Sequence, residues 1–556
     1  MTGAKYIVDS LIRRRVTDAF GIPGGVILSL IYEMDNRREE IMPHLSYHEQ
    51  SAGFAACGYA QSSGRLGVAY ATRGPGFTNL ITPIADAYCD SVPVLFITAH
   101  TASCPPEGMR VMDNQEIDSC NMISNITKLA LRIDDAETLV DDFERLCDTA
   151  LEGRKGPVLL DVAANLLNQE IPVNRKTNDH KDNITDYEAI KKEIATSILN
   201  ASRPVILVGD GINQTNAKEL LHKFANQSQI PIISSRFSHD TVGDEEHYFG
   251  YLGSHGMRCA NFIISKADLI ISLGNRLHFP TSSESFSEIF THAHLIRIEI
   301  DKGEFQREIP NSVSFQADLS RVLKYMTNEQ LDYGQHTKWL KVCNILRKEL
   351  CEVDMNEAVR AIAQCLSIAP RDWTVVNDVG NNEFWVSRAS VYCKGTHRTL
   401  YTKSFGSLGC SVAKAIGVYY ATGKPVLCFV GDQGLQMNIQ ELQYVSQHHL
   451  PIVIILVNNA VSGMIKDRQV PFGRFLHTTK ESGFSSPSWR GVADVYGLHY
   501  WKMDETIELA TIKYPALIEL SVDDTIGLSP TLPKGLSCQD LRPALPKEKY
   551  EYLNRL

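Results

Sequence analysis

The stretch of this 556-residue chain with the clearest chemical meaning is PVLCFVGDQGLQMNIQELQYVSQHHLPIVIILVNNAV, from Pro425 to Val461. An apolar run closes in Gly431-Asp432-Gln433-Gly434, a helical stretch follows, and a second apolar run closes in Asn458-Asn459. A glycine turn at the carboxyl end of a strand lets backbone N–H groups approach phosphate oxygens, and the helix N-terminus behind it favours negative charge. Asp432 and Asn459 stand 27 positions apart (459 − 432) on what should be neighbouring strand ends, and both offer hard oxygen ligands. Magnesium prefers such ligands and keeps water or phosphate in its remaining octahedral positions. A Gly-Asp turn or an Asn-Asn loop alone is commonplace. Together, each closing an apolar run, they point to a diphosphate anchored through Mg2+.

A second constellation lies near the start, in Tyr47-His48-Glu49-Gln50 followed by SAGFAACGYA and by RGPG (Arg73–Gly76). An isolated glutamate is normally a solvated surface charge. Glu49, however, falls between an extended segment and a helix of small residues, where a long acid is partly buried and suited to relaying a proton.

Three stretches that alternate apolar strands with helical periodicity must position these groups, the signature of parallel sheets flanked by helices. Strands are predicted at 67–71, 94–98 and 157–162, then at 205–208, 230–234, 269–273 and 295–300. A third set is predicted at 374–377, 426–430, 452–457 and 516–520. Polar connections, NQEIPVNRKTNDHKDNITD and TNEQLDYGQHTKW, separate the stretches and read as linkers. The expected architecture is α/β, with three open, mostly parallel-sheet domains over residues 1–170, 190–328 and 355–530 and a tail over 531–556. A net charge of −10 argues against a nucleic-acid or anionic-membrane surface. No apolar run approaches the roughly 18–20 residues needed to cross a bilayer. The 13 cysteines include no CxxC pair, which fits reduced thiols and a cytoplasmic protein better than a disulfide framework.

The GDQG and NN pieces resemble the thiamine-diphosphate signature. The resemblance implies that Asp432, the side chain of Asn459 and the carbonyl of Val461 hold Mg2+. Gln433 stands where the family usually has Gly, with Gly434 next to it. In that family a glutamate placed like Glu49 bonds the cofactor's aminopyrimidine and so activates the thiazolium C2; the remaining chemistry belongs to the cofactor. The glutamate and the diphosphate site come from different subunits, so a homodimer is the smallest expected active unit.

With these anchors, most of the chain is similar to the acetolactate synthase branch. The matching pieces are FGIPGG (Phe20–Gly25), HEQ, RGPG, Gln115-Glu116, GPVLLDV (Gly156–Val162), LGSHG (Leu252–Gly256), DVG (Asp378–Gly380), FGSLG (Phe405–Gly409) and QMNIQEL (Gln436–Leu442). They imply cofactor contacts from Pro23, Gly24, Gly25, Asn381, Gly434 and Met464, and a second catalytic side chain in Gln115. Gly406 would accept the 4′-amino hydrogen through its carbonyl, and Leu408 would wedge beneath the bent cofactor. LGSHG and Arg276 match parts of an FAD site, while the Asp-Asp-Arg run of that site is missing, so FAD is left open.

The departures fall on the acceptor side. Pro280 stands where acetolactate synthases have an Arg for the acceptor carboxylate, Asn114 where they have Phe, and Arg468 where they have Trp; Ile465 belongs to the same stretch. A bidentate Arg–carboxylate pair contributes about 1.5–3 kcal/mol, so its loss should be felt. The leading expectation is therefore a carboligase that decarboxylates a 2-keto acid, with pyruvate the expected donor, and transfers the acyl unit to a polar acceptor. A branch acting in surface-polysaccharide pathways uses nucleotide-linked keto-sugars, and LRPALPKEKYEYL resembles its tails. The alternatives are acetolactate synthase itself, a 2-keto acid decarboxylase, and a catalytically silent scaffold.

Overall fold

A computed structural model describes residues 1–101, 109–110, 113–173, 185–242, 246–277, 286, 288–328, 333, 336–351, 353–393, 397–503 and 511–556. Most of the first predicted linker, part of the second, and Pro280 lie outside the described residues.

Among the described residues, eighteen strands form three six-stranded sheets, and every pairing within them is parallel. The first sheet holds β1 (Asp18–Gly21), β2 (Met42–Leu45), β3 (Gly67–Tyr70), β4 (Val94–His100), β5 (Leu129–Ile133) and β6 (Val158–Ala163), in the order β2-β1-β3-β4-β6-β5. The second holds β7 (Pro204–Val208), β8 (Ile232–Ser234), β9 (Tyr248–Tyr251), β10 (Leu269–Leu273), β11 (His294–Glu299) and β12 (Ser312–Gln316), in the order β12-β11-β10-β7-β8-β9. The third holds β13 (Thr374–Asn377), β14 (Thr399–Leu400), β15 (Val426–Gly431), β16 (Ile452–Asn458), β17 (His499–Lys502) and β18 (Ala516–Ser521), in the order β14-β13-β15-β16-β18-β17. Central strands such as β15 and β16 are buried on both faces, which is why they read as continuous apolar runs.

The chain divides into two compact units. One comprises Met1–His180, Asp372–Asn382 and Thr399–Ser521, and so holds the first and third sheets; the other comprises Lys181–Arg371, Glu383–Arg398 and Val522–Leu556 around the second sheet. In the first unit, the helices Glu49–Ser63 and Ser411–Thr422 pack directly on each other. Ala52, Ala55, Ala56, Val412, Ala415 and Ile416 join one core there. The crossing is close because both helices offer glycine. A Cβ at Gly58 would lie 2.2 Å from the Lys414 carbonyl oxygen, and one at Gly417 would lie 1.8 Å from that of Ala55.

In the second unit, residues 531–556 are not a loose tail. The segment ends in the helix Lys547–Arg555, and Cys538 and Leu553 are buried in a core with Phe262 and Trp339. Among the described residues no helix is long and apolar enough to cross a membrane.

Candidate active site

The chemistry-bearing residues of the third sheet sit at the carboxyl ends of adjacent strands, since β15 pairs with β16 from Val426↔Ile452 to Gly431↔Val457. Asp432 is the first residue of the helix Asp432–Met437 and is buried. One carboxylate oxygen accepts from the Gln433 amide at 2.9 Å and the other from the Ser486 hydroxyl at 3.1 Å. Burial pushes this carboxyl up to about 6, against the hydrogen bonds from Ser486, Gln433 and the Ala460 amide. The last of these donors belongs to the Asn-Asn loop, so Asp432 already touches both halves of the motif.

That loop turns sharply. Ala460 has φ +54, the Asn458 side chain accepts from the Ala460 amide at 3.1 Å, and Asn459 Oδ1 accepts from the Val461 amide at 3.4 Å. Gln433, the departure from the family's glycine, accepts from the Ser462 hydroxyl at 2.7 Å and so clips the two loops together. The helix Gly463–Gln469 follows, with Met464 half-buried and Ile465 and Arg468 exposed. A Cβ at Gly463 would lie 2.7 Å from Asn459 Nδ2 and 3.0 Å from Asn381 Nδ2, so these two amides meet over a glycine. Asn381 Nδ2 donates to Asp467 at 3.2 Å, while the buried Asn381 Oδ1 has no hydrogen-bond partner among the described residues.

The Phe405–Gly409 turn stands beside this motif. Gly406 and Gly409 have φ +74 and +85, conformations that glycine adopts freely. No atom lies within 4 Å of where a Gly406 Cβ would be, and Leu408 is half-buried. The turn is fastened by Asp378, a fully buried carboxylate that accepts from the amides of Gly409 (2.8 Å) and Ser411 (3.0 Å). Burial raises the Asp378 carboxyl above its ordinary range, and the backbone donors lower it.

On the first sheet the predicted residues also gather at strand carboxyl ends. Glu49 opens its helix, where the macrodipole favours a carboxylate, and Oε2 accepts from Asn79 Nδ2 at 2.9 Å. A Cβ at Gly76 would lie 3.4 Å from Glu49 Oε1, one at Gly24 would lie 2.3 Å from Thr72 Cβ, and one at Gly74 would lie 2.7 Å from the Gln115 carbonyl oxygen. The RGPG turn thus brings together Glu49, the Pro23-Gly24-Gly25 segment and Gln115, which has φ +61. Gln115 and Asn114 are exposed; behind them Arg73 holds the segment through buried Glu116 at 2.6 Å and Asp113 at 3.3 Å.

Comparison with known proteins bears on this geometry. Residues 1–121 match the model of the thiamine pyrophosphate enzyme N-terminal TPP binding domain, 191–326 the central domain, and 378–519 the C-terminal TPP binding domain. An acetolactate synthase of Arthrospira platensis is 31% identical over 532 residues, covering 90% of this chain and 89% of that protein. The chain belongs to the thiamine pyrophosphate enzymes. Its likeness to acetolactate synthases runs end to end. The large subunit from Lactococcus lactis is 28% identical across 97% of this chain and 96% of its own length. The isozyme 2 large subunit from Escherichia coli is 29% identical across 97% and 99%.

The three-domain α/β architecture, the enzyme class and the thiamine cofactor therefore stand as the sequence predicts. Thiamine diphosphate fits the third sheet on two observations: the orphaned, buried Asn381 Oδ1, and the open space above Gly406. The acceptor-side positions are spread more thinly. Arg468 and Asn114 are exposed, and Pro280 is outside the described residues.

Sequence reasoning missed two polar anchors. Asn438, inside QMNIQEL, donates to the Gly409 carbonyl at 2.9 Å and to Gln50 Oε1 at 3.3 Å, and accepts from Ser51 at 3.1 Å. It ties the Phe405–Gly409 turn to the residues directly after Glu49. Glu441 accepts from the Tyr47 amide at 3.1 Å, on the other side of Glu49. Both lie in a motif already noticed, but nothing in their spacing reveals partners almost four hundred residues away.

Proposed function

We propose that this thiamine-pyrophosphate enzyme decarboxylates a 2-keto acid, with pyruvate as donor, and joins the acyl unit to a second keto acid as an acetolactate synthase. The end-to-end similarity to acetolactate synthases carries this reading, and it favours the acetolactate synthase alternative over a sugar acceptor. In this proposal Asp432, the Asn459 side chain and the Val461 carbonyl hold Mg2+. The donor set suits that ion: all three are hard oxygens, and Asp432 already touches the Asn-Asn loop. Thiamine diphosphate, when bound, would supply an acidic thiazolium carbon and an electron sink for the decarboxylation.

The protein's own residues then have separable tasks. The helix N-terminus at Asp432 and the Gly434 turn receive the diphosphate. Asn381, Met464, Gly406 and Leu408 shape the cofactor's seat. Glu49 holds or moves a proton at the aminopyrimidine, with Asn79 orienting its carboxylate. Gln115, fixed behind by the Arg73–Glu116 pair, faces the reacting groups. Glu49 serves the cofactor of a second copy of the chain, so the working unit is a homodimer.

FAD is proposed for the crevice at the carboxyl ends of β7 and β10, the kind of place where parallel sheets take nucleotides. There Gly209, Gly211 and Gly274 meet in backbone contact, with Arg276 two residues beyond. Flavin absorbance of the purified protein tests it.

A second reading, a polar acceptor such as a sugar ketone, is favoured by exposed Arg468 on the helix directly after the Asn-Asn loop and by Asn114 in place of an aromatic. Mass spectrometry of products from labelled pyruvate, offered alone and with a panel of keto acids and keto-sugar nucleotides, separates the two. Efficient acetolactate formation selects the first; adducts of a sugar ketone formed faster than acetolactate select the second.

A further inference from the structure

Away from the reacting groups, the first unit buries an unusual number of charges around one short loop. Asp86 and Asp90 lie on the helix Ile81–Asp90, and Lys414 lies on the helix Ser411–Thr422. Asp86 and Lys414 are 0% and 1% exposed and pair at 2.8 Å. A buried ion pair taken alone is weak evidence for stability, because desolvation offsets much of the attraction. The remaining hydrogen bonds show what these carboxylates hold. The oxygen of Asp86 not facing Lys414 accepts from the hydroxyls of Thr402 and, at 3.1 Å, Ser407. Asp90 accepts from the backbone amides of Lys403 at 2.7 Å and Ser404 at 2.9 Å, one to each oxygen. Thr402 Oγ1 in turn accepts from the Ser407 amide at 3.2 Å, closing the loop on itself.

Every one of these contacts falls on residues 402–407, immediately before Leu408, and Asp378 takes over at Gly409 and Ser411. The base of the loop is therefore gripped from two sides, while its tip is displayed: Phe405 is 46% exposed and Gly406 has empty space at its Cβ position. Burial opposes a charge on Lys414, and the facing Asp86 outweighs it, holding the lysine above its ordinary range. The cation in turn faces one oxygen of Asp86 while the two hydroxyls face the other.

We propose that Asp86 and Asp90 are positioning residues that template the 402–409 loop from the first domain, with Lys414 as their counter-charge, so that the seat of the thiamine cofactor is shaped by a domain that does not carry the diphosphate motif. The proposal rests on the reading that Gly406 and Leu408 contact the cofactor.

The test uses full-length protein and two readouts. Hydrogen exchange of the cofactor-free protein reports on the loop itself, and calorimetry with thiamine diphosphate and Mg2+ reports on the seat. Asp90→Asn keeps the size but replaces one acceptor oxygen by a donor, losing one amide contact and weakening the other, and Thr402→Val removes one hydroxyl while leaving the Asp86–Lys414 pair intact. Each should speed exchange at the amides of 403–407 by about tenfold or more, with the amides of 52–60 as protected as before. Each should also weaken cofactor affinity by about tenfold, while kcat at saturating cofactor changes by less than about twofold. Asp86→Asn should do the same or fail to fold; the other two variants decide in either case. Unchanged loop exchange, or exchange that rises equally at 52–60, would reduce the acids to domain adhesion and overturn the proposal. Faster loop exchange with unchanged affinity would also overturn it. A wild-type protein that binds no thiamine diphosphate would instead defeat the functional reading, with the exchange result still judging the templating of the loop.

Discussion

Asn79 donates a 2.9 Å hydrogen bond to the carboxylate of Glu49, and the two residues reach each other from the ends of different helices. The contact orients Glu49 without neutralising it, because an amide N–H is a donor that carries no charge. Glu49→Gln should therefore leave folding intact yet slow deprotonation at the cofactor C2 by about 100-fold or more, the scale of a lost acid–base group. Proton–deuteron exchange at C2, followed by NMR, measures it. An unchanged exchange rate removes Glu49 from the mechanism.

Asp432→Ala takes the only carboxylate from the proposed metal set. Cofactor affinity in the presence of Mg2+ should fall by more than about tenfold, or roughly 1.4 kcal/mol, in a calorimetric titration. A smaller loss would show that another group carries the ion.

Mixing these two inactive variants tests whether the sites are shared between copies. If Glu49 acts on a partner's cofactor, each mixed dimer holds one intact site, and random exchange restores roughly a quarter of wild-type activity. A mixture that stays silent after verified subunit exchange would place both residues in one chain's site.

Glu441 makes stability depend on pH. Burial pushes its carboxyl up to about 7 from an ordinary 4.5, against hydrogen bonds from Ser51 and the amides of Tyr47 and His48. A raised value in the folded state means that the folded protein keeps the proton longer than the unfolded chain. The contribution is complete below about pH 4.5 and is lost as pH rises through 7. It amounts to at most about 3 kcal/mol. Glu441→Gln should remove this loss, so that denaturant unfolding at pH 5 and pH 8 differs less in the variant than in the wild type. Equal differences would mean that Glu441 is not the titrating group.

Gly417→Ala should destabilise the first unit despite alanine's better helix propensity. The added methyl would sit 1.8 Å from the Ala55 carbonyl oxygen, and overpacking of a close crossing costs roughly 1–3 kcal/mol or more. Thermal unfolding checks the sign.

What the sequence made legible follows from burial. Strands covered on both faces, such as VLCFVG of β15 and IVIILVN of β16, show up as apolar runs with the right ends. Two that went unrecognised, DAFG of β1 and YFGY of β9, are buried throughout but carry a glycine within only four residues, and others lack the signal. HYWK of β17 is partly exposed along its length, MPHL of β2 contains a proline, LALRI of β5 is mostly half-buried, and β14 is only two residues long. The diphosphate motif was readable because its parts follow one another on adjacent strands. Asp86 and Lys414 were not: they are 328 positions apart, and a lysine within a helix reads as a solvated charge until its carboxylate partner is placed beside it.

The glycine-to-glycine crossing of the helices Glu49–Ser63 and Ser411–Thr422 also sets a schedule. A ribosome completes the first helix 348 residues (411 − 63) before it begins the second. At about 5–20 residues per second, the alanine face of the early helix waits roughly 17–70 s for the surface that covers it. During that interval the backbone at Ala55, which Gly417 approaches in the finished protein, lacks this cover. Whatever sequence occupies the intervening residues thus acts as a timer on how long an adhesive surface stays open during synthesis.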